Sequence, residues 1–183
     1  MNQFEATKFI HSKLTNEIVV SALGVTSYIL YECGDRSENF YLWGTMGLPV
    51  SVGLGMSLQN KSRTVVALEG DGGILMNLGA LATVGWTSPP NLRVVILDNR
   101  CYATTGGQPT ATSARADLAK AARALGIENT SYVENLEDLR LAWEKPHGPQ
   151  VIVARVDVYT PKSKLPIFDP TLIKNRLLNL AGR

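Results

Sequence analysis

The chain has 183 residues and a net charge of +2, with 45% hydrophobic and 19% charged residues, values typical of a globular domain with a full core. So small a charge gives no indication of nucleic-acid binding, and no apolar stretch reaches the roughly 18 residues that a membrane span needs. The two cysteines, Cys33 and Cys101, lie far apart and outside any CxxC pattern, which favours free thiols and a cytoplasmic protein.

Apolar runs rich in β-branched residues alternate with helical patterns along the first half of the chain. Thr26 is a candidate cap and Gly34 a stop signal for the second helix, and Pro49 suits the first turn of the third. The predicted elements are a helix over 3–14, a strand over 17–24, a helix over 26–33, a strand over 39–44, a helix over 49–60, a strand over 63–70 and a helix over 73–86.

The second half continues the same alternation. A strand over 91–99 leads into a loop rich in glycine and threonine over 100–113. The remaining predictions are a helix over 114–126, a short strand near Ser131, a helix over 136–143, a strand over 150–158 and a terminal helix capped by Asp169. Strands that are apolar on both faces and separated by helices predict an α/β fold, a parallel sheet flanked by helices on both faces.

Ligands of such sheets bind at the carboxyl ends of the strands. Three loops leave these ends, over 44–48, 70–73 and 99–110. They hold most of the unusual residues of the chain, so we expect the functional site there.

The second of these loops, Gly70-Asp71-Gly72-Gly73, places one acid between glycines at the start of a helix. Glycines there let a ligand reach backbone N–H groups, an arrangement that suits phosphate. Asp71 would repel phosphate unless a cation lay between them, so the pattern predicts a hard divalent ion such as Mg²⁺.

A second ligand is expected from the next strand end. The 26 residues of 73–98 separate Gly72 from Asn99, which is about one helix plus one strand. Asn99 can offer its amide oxygen, and Cys101 can offer its backbone carbonyl. A GDG turn alone is usually only a turn, and a single Asn after a strand is usually a turn former; together, in this order and at this separation, they are far more specific.

This combination resembles the cofactor motif of thiamine diphosphate enzymes. Four segments extend the match, NFYLWGTMGLPVSVGLGMSL, LEGDGGILMNLGALATVG, ILDNRCYATTGGQPT and DLAKAARALGI. Together they resemble the sulfopyruvate decarboxylase β subunits and the C-terminal half of phosphonopyruvate decarboxylases. The resemblance covers about 17–160 and implies that 1–183 form a single diphosphate-binding domain with a C-terminal helical extension.

The resemblance implies thiamine diphosphate and Mg²⁺ as cofactors, with Asp71, Asn99 and the Cys101 carbonyl as metal ligands. The Gly44 carbonyl would accept a hydrogen bond from the pyrimidine amine and Met46 would hold the cofactor bent, which makes these two the expected catalytic residues. The expected cofactor-binding residues are Gly24, Thr26, Ser27, Gly44, Thr45, Met46, Asp71, Gly72, Gly73, Asn99 and Tyr102. Asp98 stands where the family often has Asn and is expected to support the loop.

Enzymes of this type also need a glutamate at the pyrimidine ring, supplied by a separate pyrimidine-binding domain. A chain of this length has room for one domain only. The resemblance therefore implies a hetero-oligomer with a pyrimidine-binding α subunit, and a chain that is inactive alone. The implied reaction is decarboxylation of sulfopyruvate, a small anionic 2-oxoacid, to sulfoacetaldehyde and CO₂, as in coenzyme M biosynthesis or sulfonate breakdown.

Other interpretations stay open at this point. One is a split decarboxylase for phosphonopyruvate or another 2-oxoacid, and another is a non-catalytic module that binds thiamine diphosphate. Ligases of the acetolactate synthase type resemble the chain less, and the cysteine ligands of 2-oxoacid:ferredoxin oxidoreductases are absent from it.

The loop over 102–110 is a candidate pocket wall or lid because its residues are small, polar or glycine. Arg100 and Arg115 are candidates for contacting the acid group of the substrate. His11 and His147 are expected to be structural or solvated.

Overall fold

A parallel sheet of six strands organises the structure, a computed structural model that describes residues 1–145, 148–162 and 169–180. Every neighbouring pair in this sheet is parallel. Its strands are β1 (Ile18–Ser21), β2 (Asn39–Tyr41), β3 (Val65–Gly70), β4 (Leu92–Asp98), β7 (Thr130–Val133) and β8 (Gln150–Arg155). They lie in the order β2-β1-β3-β4-β8-β7, and a separate antiparallel hairpin pairs β5 (Cys101–Tyr102) with β6 (Gln108–Pro109).

Helices cover both faces of the sheet, as the sequence predicts. They are α1 (Gln3–Ser12), α2 (Val25–Cys33), α3 (Pro49–Gln59), α4 (Asp71–Met76), α5 (Gly79–Thr87), α6 (Leu118–Ala124), α7 (Leu136–Trp143) and α8 (Pro170–Leu180), with a short 3₁₀ helix over Ala111–Ser113. Side chains of α3, α5 and α6 pack on one face of the sheet, and side chains of α1, α2 and α7 pack on the other. No helix in the described ranges is long and apolar enough to cross a membrane.

The central strands have both faces buried, which explains their unbroken apolar runs. On β3, Val65 and Ala67 belong to one core cluster while Val66 and Leu68 belong to the other. The pairing of β3 with β4 aligns Gly70 with Leu97. The loops that leave these two strands therefore begin next to each other at the carboxyl edge.

The predicted helix over 73–86 is wrong in two respects. The helix begins at Asp71, because Gly70 is its extended N-cap residue, and it is interrupted between α4 and α5. Asn77 adopts a non-helical conformation there, and its amide donates to the Gly47 carbonyl at 2.9 Å and to Ser51 Oγ at 3.2 Å. The interruption ties this segment to the loop over 44–48.

Three smaller predictions also need correction. The loop over 100–113 contains the β5–β6 hairpin and the 3₁₀ helix. The N-cap of α2 is Gly24, at a φ of +84°, so Thr26 lies inside the helix. The last sheet strand ends at Arg155 instead of continuing to residue 158. Asp169 does cap α8, since its Oδ1 accepts from Thr171 N at 2.8 Å, and His147 lies outside the described residues.

Candidate active site

A small cleft of about 100 Å³, open to solvent, lies at the carboxyl edge of the sheet. Eight of the predicted site residues line it together, and these are Thr26, Met46, Asp71, Gly72, Gly73, Asn99, Cys101 and Tyr102. The fold thus brings three separate loops to one concave surface, as the parallel sheet predicts.

Asp71 lies at the base of this cleft with only 1% of its surface exposed. Its Oδ2 accepts from Thr110 Oγ1 at 2.5 Å, and Thr112 Oγ1 lies 3.0 Å away. Thr112 Oγ1 also lies 2.8 Å from Asp98 Oδ1, so one hydroxyl proton is shared between two acids. Burial, together with the charge of Asp98, raises the pKa of Asp71 against the opposing hydrogen bonds from Thr110 and Thr112.

No ion pair to Asp71 or Asp98 occurs among the described residues. A buried carboxylate without a cationic partner is costly, and a divalent cation would remove that cost. Carboxylate, amide and carbonyl oxygens form the donor set that Mg²⁺ prefers. The chemistry of the residues present therefore fits the predicted ion.

The turn after β4 holds the other predicted metal ligands. Asn99 Oδ1 accepts from Cys101 N at 2.9 Å, and Asp98 Oδ1 accepts from Arg100 N at 3.1 Å. Arg100 has a φ of +61°, in the left-handed region. Residues other than glycine adopt this conformation mainly in tight turns. Asp98 therefore supports the turn, as expected.

The two glycines after Asp71 pack closely against neighbouring side chains. A Cβ at Gly72 would lie 2.4 Å from a ring carbon of Tyr102, and a Cβ at Gly73 would lie 2.2 Å from Glu69 Oε1. Backbone N–H groups in the first turn of a helix have no partner within the helix. Gly72 and Gly73 lie in the first turn of α4 and line the cleft, so their N–H groups lie beside it.

The first loop contributes Met46, which is 37% exposed and lines the cleft. Gly44 and Gly47 have φ values of +57° and +83°, so the loop turns sharply on both sides of this side chain. Gly44 is exposed, and Thr45 lines a separate groove beside α8. The structure thus brings Met46 into the cleft and leaves Gly44 and Thr45 outside its lining.

Two further predicted residues lie near the cleft without lining it. Gly24 faces Thr104, whose Oγ1 would be 2.7 Å from an added Cβ. Ser27 is 1% exposed, and its hydroxyl donates to the Ala22 carbonyl at 2.6 Å. Ser27 therefore stabilises the turn after β1 through its hydrogen bond to Ala22.

Sequence reasoning missed several residues of the site. Glu69 lines the cleft with 1% of its surface exposed, and its Oε2 has no hydrogen-bond partner in the described part of the chain. Burial raises its pKa to about 7, although the N–H groups of Gly70 and Gly47 act in the opposite direction. An acid inside the apolar run VVALEG was a signal that could have identified it.

Gln3 and Thr112 were also missed, and Thr110 was predicted only as the last residue of the candidate lid. The alternating threonines of the segment PTATS offered a weak signal. Gln3 offered none, because nothing in a sequence indicates that the first turn of α1 reaches the cleft.

Other predicted side chains lie elsewhere. Arg100 and Arg115 line a second, polar cleft. Asp98 and Thr112 line it as well. His11 Nε2 lies 3.0 Å from the Gly34 carbonyl, which is a structural contact. Both cysteines are free thiols. Of the candidate lid, the continuous segment of residues 102–105 lines the main cleft.

Comparison with known proteins agrees with this geometry. Residues 23–154 match the family described as thiamine pyrophosphate enzyme, C-terminal TPP binding domain. The chain is 37% identical to sulfopyruvate decarboxylase subunit beta of Methanococcus maripaludis over 182 residues, which is 98% of this chain and 97% of that one. It is 46% identical over 121 residues to phosphonopyruvate decarboxylase of Streptomyces viridochromogenes, covering 66% of this chain but 30% of that protein.

The fold has a solved counterpart as well. A Mycobacterium smegmatis protein described as a thiamin diphosphate-dependent enzyme matches with a TM-score of 0.72. The match covers 87% of this chain and 32% of that one, at 22% identity. At this identity the likeness establishes the fold.

Proposed function

This chain belongs to the thiamine pyrophosphate-dependent enzymes, in the family of the sulfopyruvate decarboxylase β subunits, and on that premise we propose that it forms half of an active site that decarboxylates sulfopyruvate. The observation that carries the proposal is the coverage of the match. The chain corresponds to nearly the whole of a β subunit but to less than a third of phosphonopyruvate decarboxylase. A decarboxylase divided between two chains accounts for both figures.

Asp71, Asn99 and the Cys101 carbonyl would hold Mg²⁺ on the cofactor diphosphate. The proposal is supported by the buried, cation-free acid and by the amide and carbonyl oxygens beside it. The N–H groups of Gly72 and Gly73 would bind diphosphate oxygens, which is supported by the position of both glycines in the lining of the cleft and in the first turn of α4. When bound, thiamine diphosphate supplies the electron sink that accepts the electron pair released with CO₂.

The loop over 44–48 would handle the other end of the cofactor. The Gly44 carbonyl would accept from the pyrimidine amine, and Met46 would press the two rings into a bent shape. The sharp turns at Gly44 and Gly47 hold Met46 out from the sheet edge, which is the placement that such a wedge requires.

A partner chain would supply the glutamate and the remaining wall of the site. The subunit name of the relatives indicates a hetero-oligomer, and we propose a pyrimidine-binding α subunit as the second chain. Exposed apolar side chains beside the cleft support a docking surface there. Leu48 is 41% exposed and Met76 is 64% exposed. Met76 lies next to the loop over 44–48, because its Cβ is 3.4 Å from the position that a Cβ on Gly47 would occupy.

The decisive experiment measures CO₂ release by the protein purified with the chain that accompanies it, supplied with Mg²⁺ and thiamine diphosphate. Sulfopyruvate, phosphonopyruvate and pyruvate are compared, with a chelated sample as the control. We expect rapid, Mg²⁺-dependent release from sulfopyruvate. Release from phosphonopyruvate alone would instead support the second candidate, which the 46% identity to that decarboxylase favours. Cofactor binding without release from any acid would support a non-catalytic module.

A further inference from the structure

The side chain of Gln3 reaches the cleft from the opposite end of the sequence. Gln3 is 2% exposed and is one of the residues that line the cleft with Thr26 and Asp71. Its backbone N–H donates to the Asp157 carbonyl at 3.1 Å, and Asn2 forms an isolated bridge with the same residue. The start of α1 is thereby held at the carboxyl edge of the sheet.

The orientation of the Gln3 amide is fixed by the chain that follows β8. Tyr159 N donates to Gln3 Oε1 at 3.1 Å, so the oxygen, not the nitrogen, must lie on that side. The Tyr159 ring stacks on Phe4 at 5.1 Å, and its hydroxyl donates to Glu32 at 2.8 Å. The donor of this contact is therefore itself held in place.

This arrangement leaves Gln3 Nε2 as the free polar end. The Nε2 group has no hydrogen-bond partner among the described residues, and it is not one of their fully enclosed polar atoms, so it keeps access to the cleft that Gln3 lines. An amide donor held at the wall of a cleft can donate to a ligand that enters it.

We propose that Gln3 Nε2 donates to an anionic oxygen of the ligand in this cleft, from either the cofactor diphosphate or the acid group of the oxoacid. The inference rests on the proposed function, because it takes the occupant to be an anion. A neutral donor suits this position, since it binds an anionic oxygen without forming an ion pair with Asp71.

Two substitutions test the contact in the assembled complex. Gln3→Met keeps the length of the side chain but removes both the donor and the acceptor. Gln3→Glu keeps an acceptor for Tyr159 N but turns the donor into a negative oxygen. Gln59→Met, on the exposed end of α3, is the matched control. The Kd of thiamine diphosphate with Mg²⁺ and the KM of the oxoacid are measured for each.

We expect Gln3→Met to weaken one of the two constants by about 10- to 100-fold, the loss of one hydrogen bond to a charged group. A change in the cofactor Kd identifies the diphosphate as the acceptor, and a change in KM alone identifies the acid group. Gln3→Glu should weaken the same constant further because its charge repels the anion. Gln59→Met should change neither.

A purely structural role predicts the reverse order, since Gln3→Glu retains the bond to Tyr159. Milder loss in Gln3→Glu than in Gln3→Met, or changes below twofold in both, would overturn the inference. Failure of both variants to assemble would also overturn it, because loss of a ligand contact does not prevent folding. If the unsubstituted complex bound no thiamine diphosphate, the proposed function would fail instead.

Discussion

At the scale of single residues, Asp71 is the side chain whose position is hardest to explain by folding alone. It is buried, and it shares the Thr112 hydroxyl with Asp98. Burial and the charge of Asp98 raise its pKa and disfavour the ionised form in the ligand-free protein, although the hydroxyl donors act in the opposite direction. A divalent cation would favour the ionised form instead, which is why we propose that Asp71 binds the metal.

The substitution Asp71→Asn separates the cost of burying the Asp71 charge from its contribution to metal binding. An asparagine oxygen can still accept from Thr110, and the buried charge is gone, so the unfolding temperature of the ligand-free protein should stay equal or rise. Mg²⁺-dependent binding of thiamine diphosphate should weaken about 100-fold or more, which is about 3 kcal/mol. Isothermal titration calorimetry checks the affinity, and Glu128→Gln on the surface serves as the control. Unchanged affinity would remove Asp71 as a ligand.

Met46 should act on turnover more than on affinity. Met46→Ala removes the side chain that would hold the cofactor bent, while the metal and diphosphate contacts remain. We expect kcat to fall about 100-fold or more, with the cofactor Kd changed less than about fivefold. Normal turnover in this variant would be incompatible with the wedge role.

Glu69 gives a pH dependence with a definite sign. The folded chain holds a proton on this carboxyl up to about pH 7, whereas the ordinary value is 4.5. The folded state therefore binds more protons than the unfolded state between these values, and stability falls as pH rises through them. The shift corresponds to about 3 kcal/mol lost by pH 8.

Glu69→Gln should remove this loss. The free energy of unfolding of the ligand-free protein, measured by urea titration from pH 5 to 8, should become flatter and higher at pH 8 than in the unsubstituted chain. Glu128→Gln should leave the slope unchanged. A slope that persists in Glu69→Gln would show that another group is responsible.

At the scale of elements, the turn from β3 into α4 depends on two close contacts. The 2.2 Å distance from a Gly73 Cβ to Glu69 Oε1 leaves no space for a methyl group. The same glycine approaches the first loop, since a Cβ at Gly47 would lie 2.9 Å from the Gly73 carbonyl. The turn from β3 into α4 and the loop of Met46 are thus packed as one unit.

Gly73→Ala should destabilise the protein by about 1–3 kcal/mol through this overlap. In the Glu69→Ala background the same substitution should cost much less, because the carboxyl group is absent. Gly55→Ala in α3, where a Cβ would meet nothing within 4 Å, should be neutral or stabilising. Thermal unfolding of the four variants completes the test, and an equal cost of Gly73→Ala in both backgrounds would contradict it.

The elements that the sequence predicted are those with a strong apolar period. The core strands β3 and β4 and the helix α7 were predicted because burial on one or two faces dictates their pattern. The interruption at Asn77 was not, because its cause is a tertiary hydrogen bond to Gly47. The β5–β6 hairpin has two residues on each side, too few to show an alternating pattern.

The residues of the candidate site also fall into those that the sequence predicts and those that only the fold reveals. The position of Asp71, Asn99 and Met46 at the cleft could be predicted because they belong to short motifs next to strand ends. Gln3 could not, because the chain must fold before the first turn of α1 meets the cleft. Thr110 and Thr112 lie outside the motif and were recognised only from their contacts with Asp71.

At the scale of the whole molecule, the cleft opens to solvent and is bordered by exposed apolar side chains such as Leu48 and Met76. Reaction with an oxoacid requires the site to exclude water. The described residues alone cannot enclose a cofactor there. A second chain that covers this edge would complete the enclosure and contribute the glutamate.

We therefore propose that catalysis requires two chains and that this one holds the metal and the diphosphate. The most direct test compares this chain alone, its partner alone and an equimolar mixture, each with Mg²⁺, thiamine diphosphate and sulfopyruvate. We predict CO₂ release only in the mixture, and its loss when Asp71→Asn replaces the unsubstituted chain. Release by this chain alone, or full activity of the mixture with Asp71→Asn, would contradict the account.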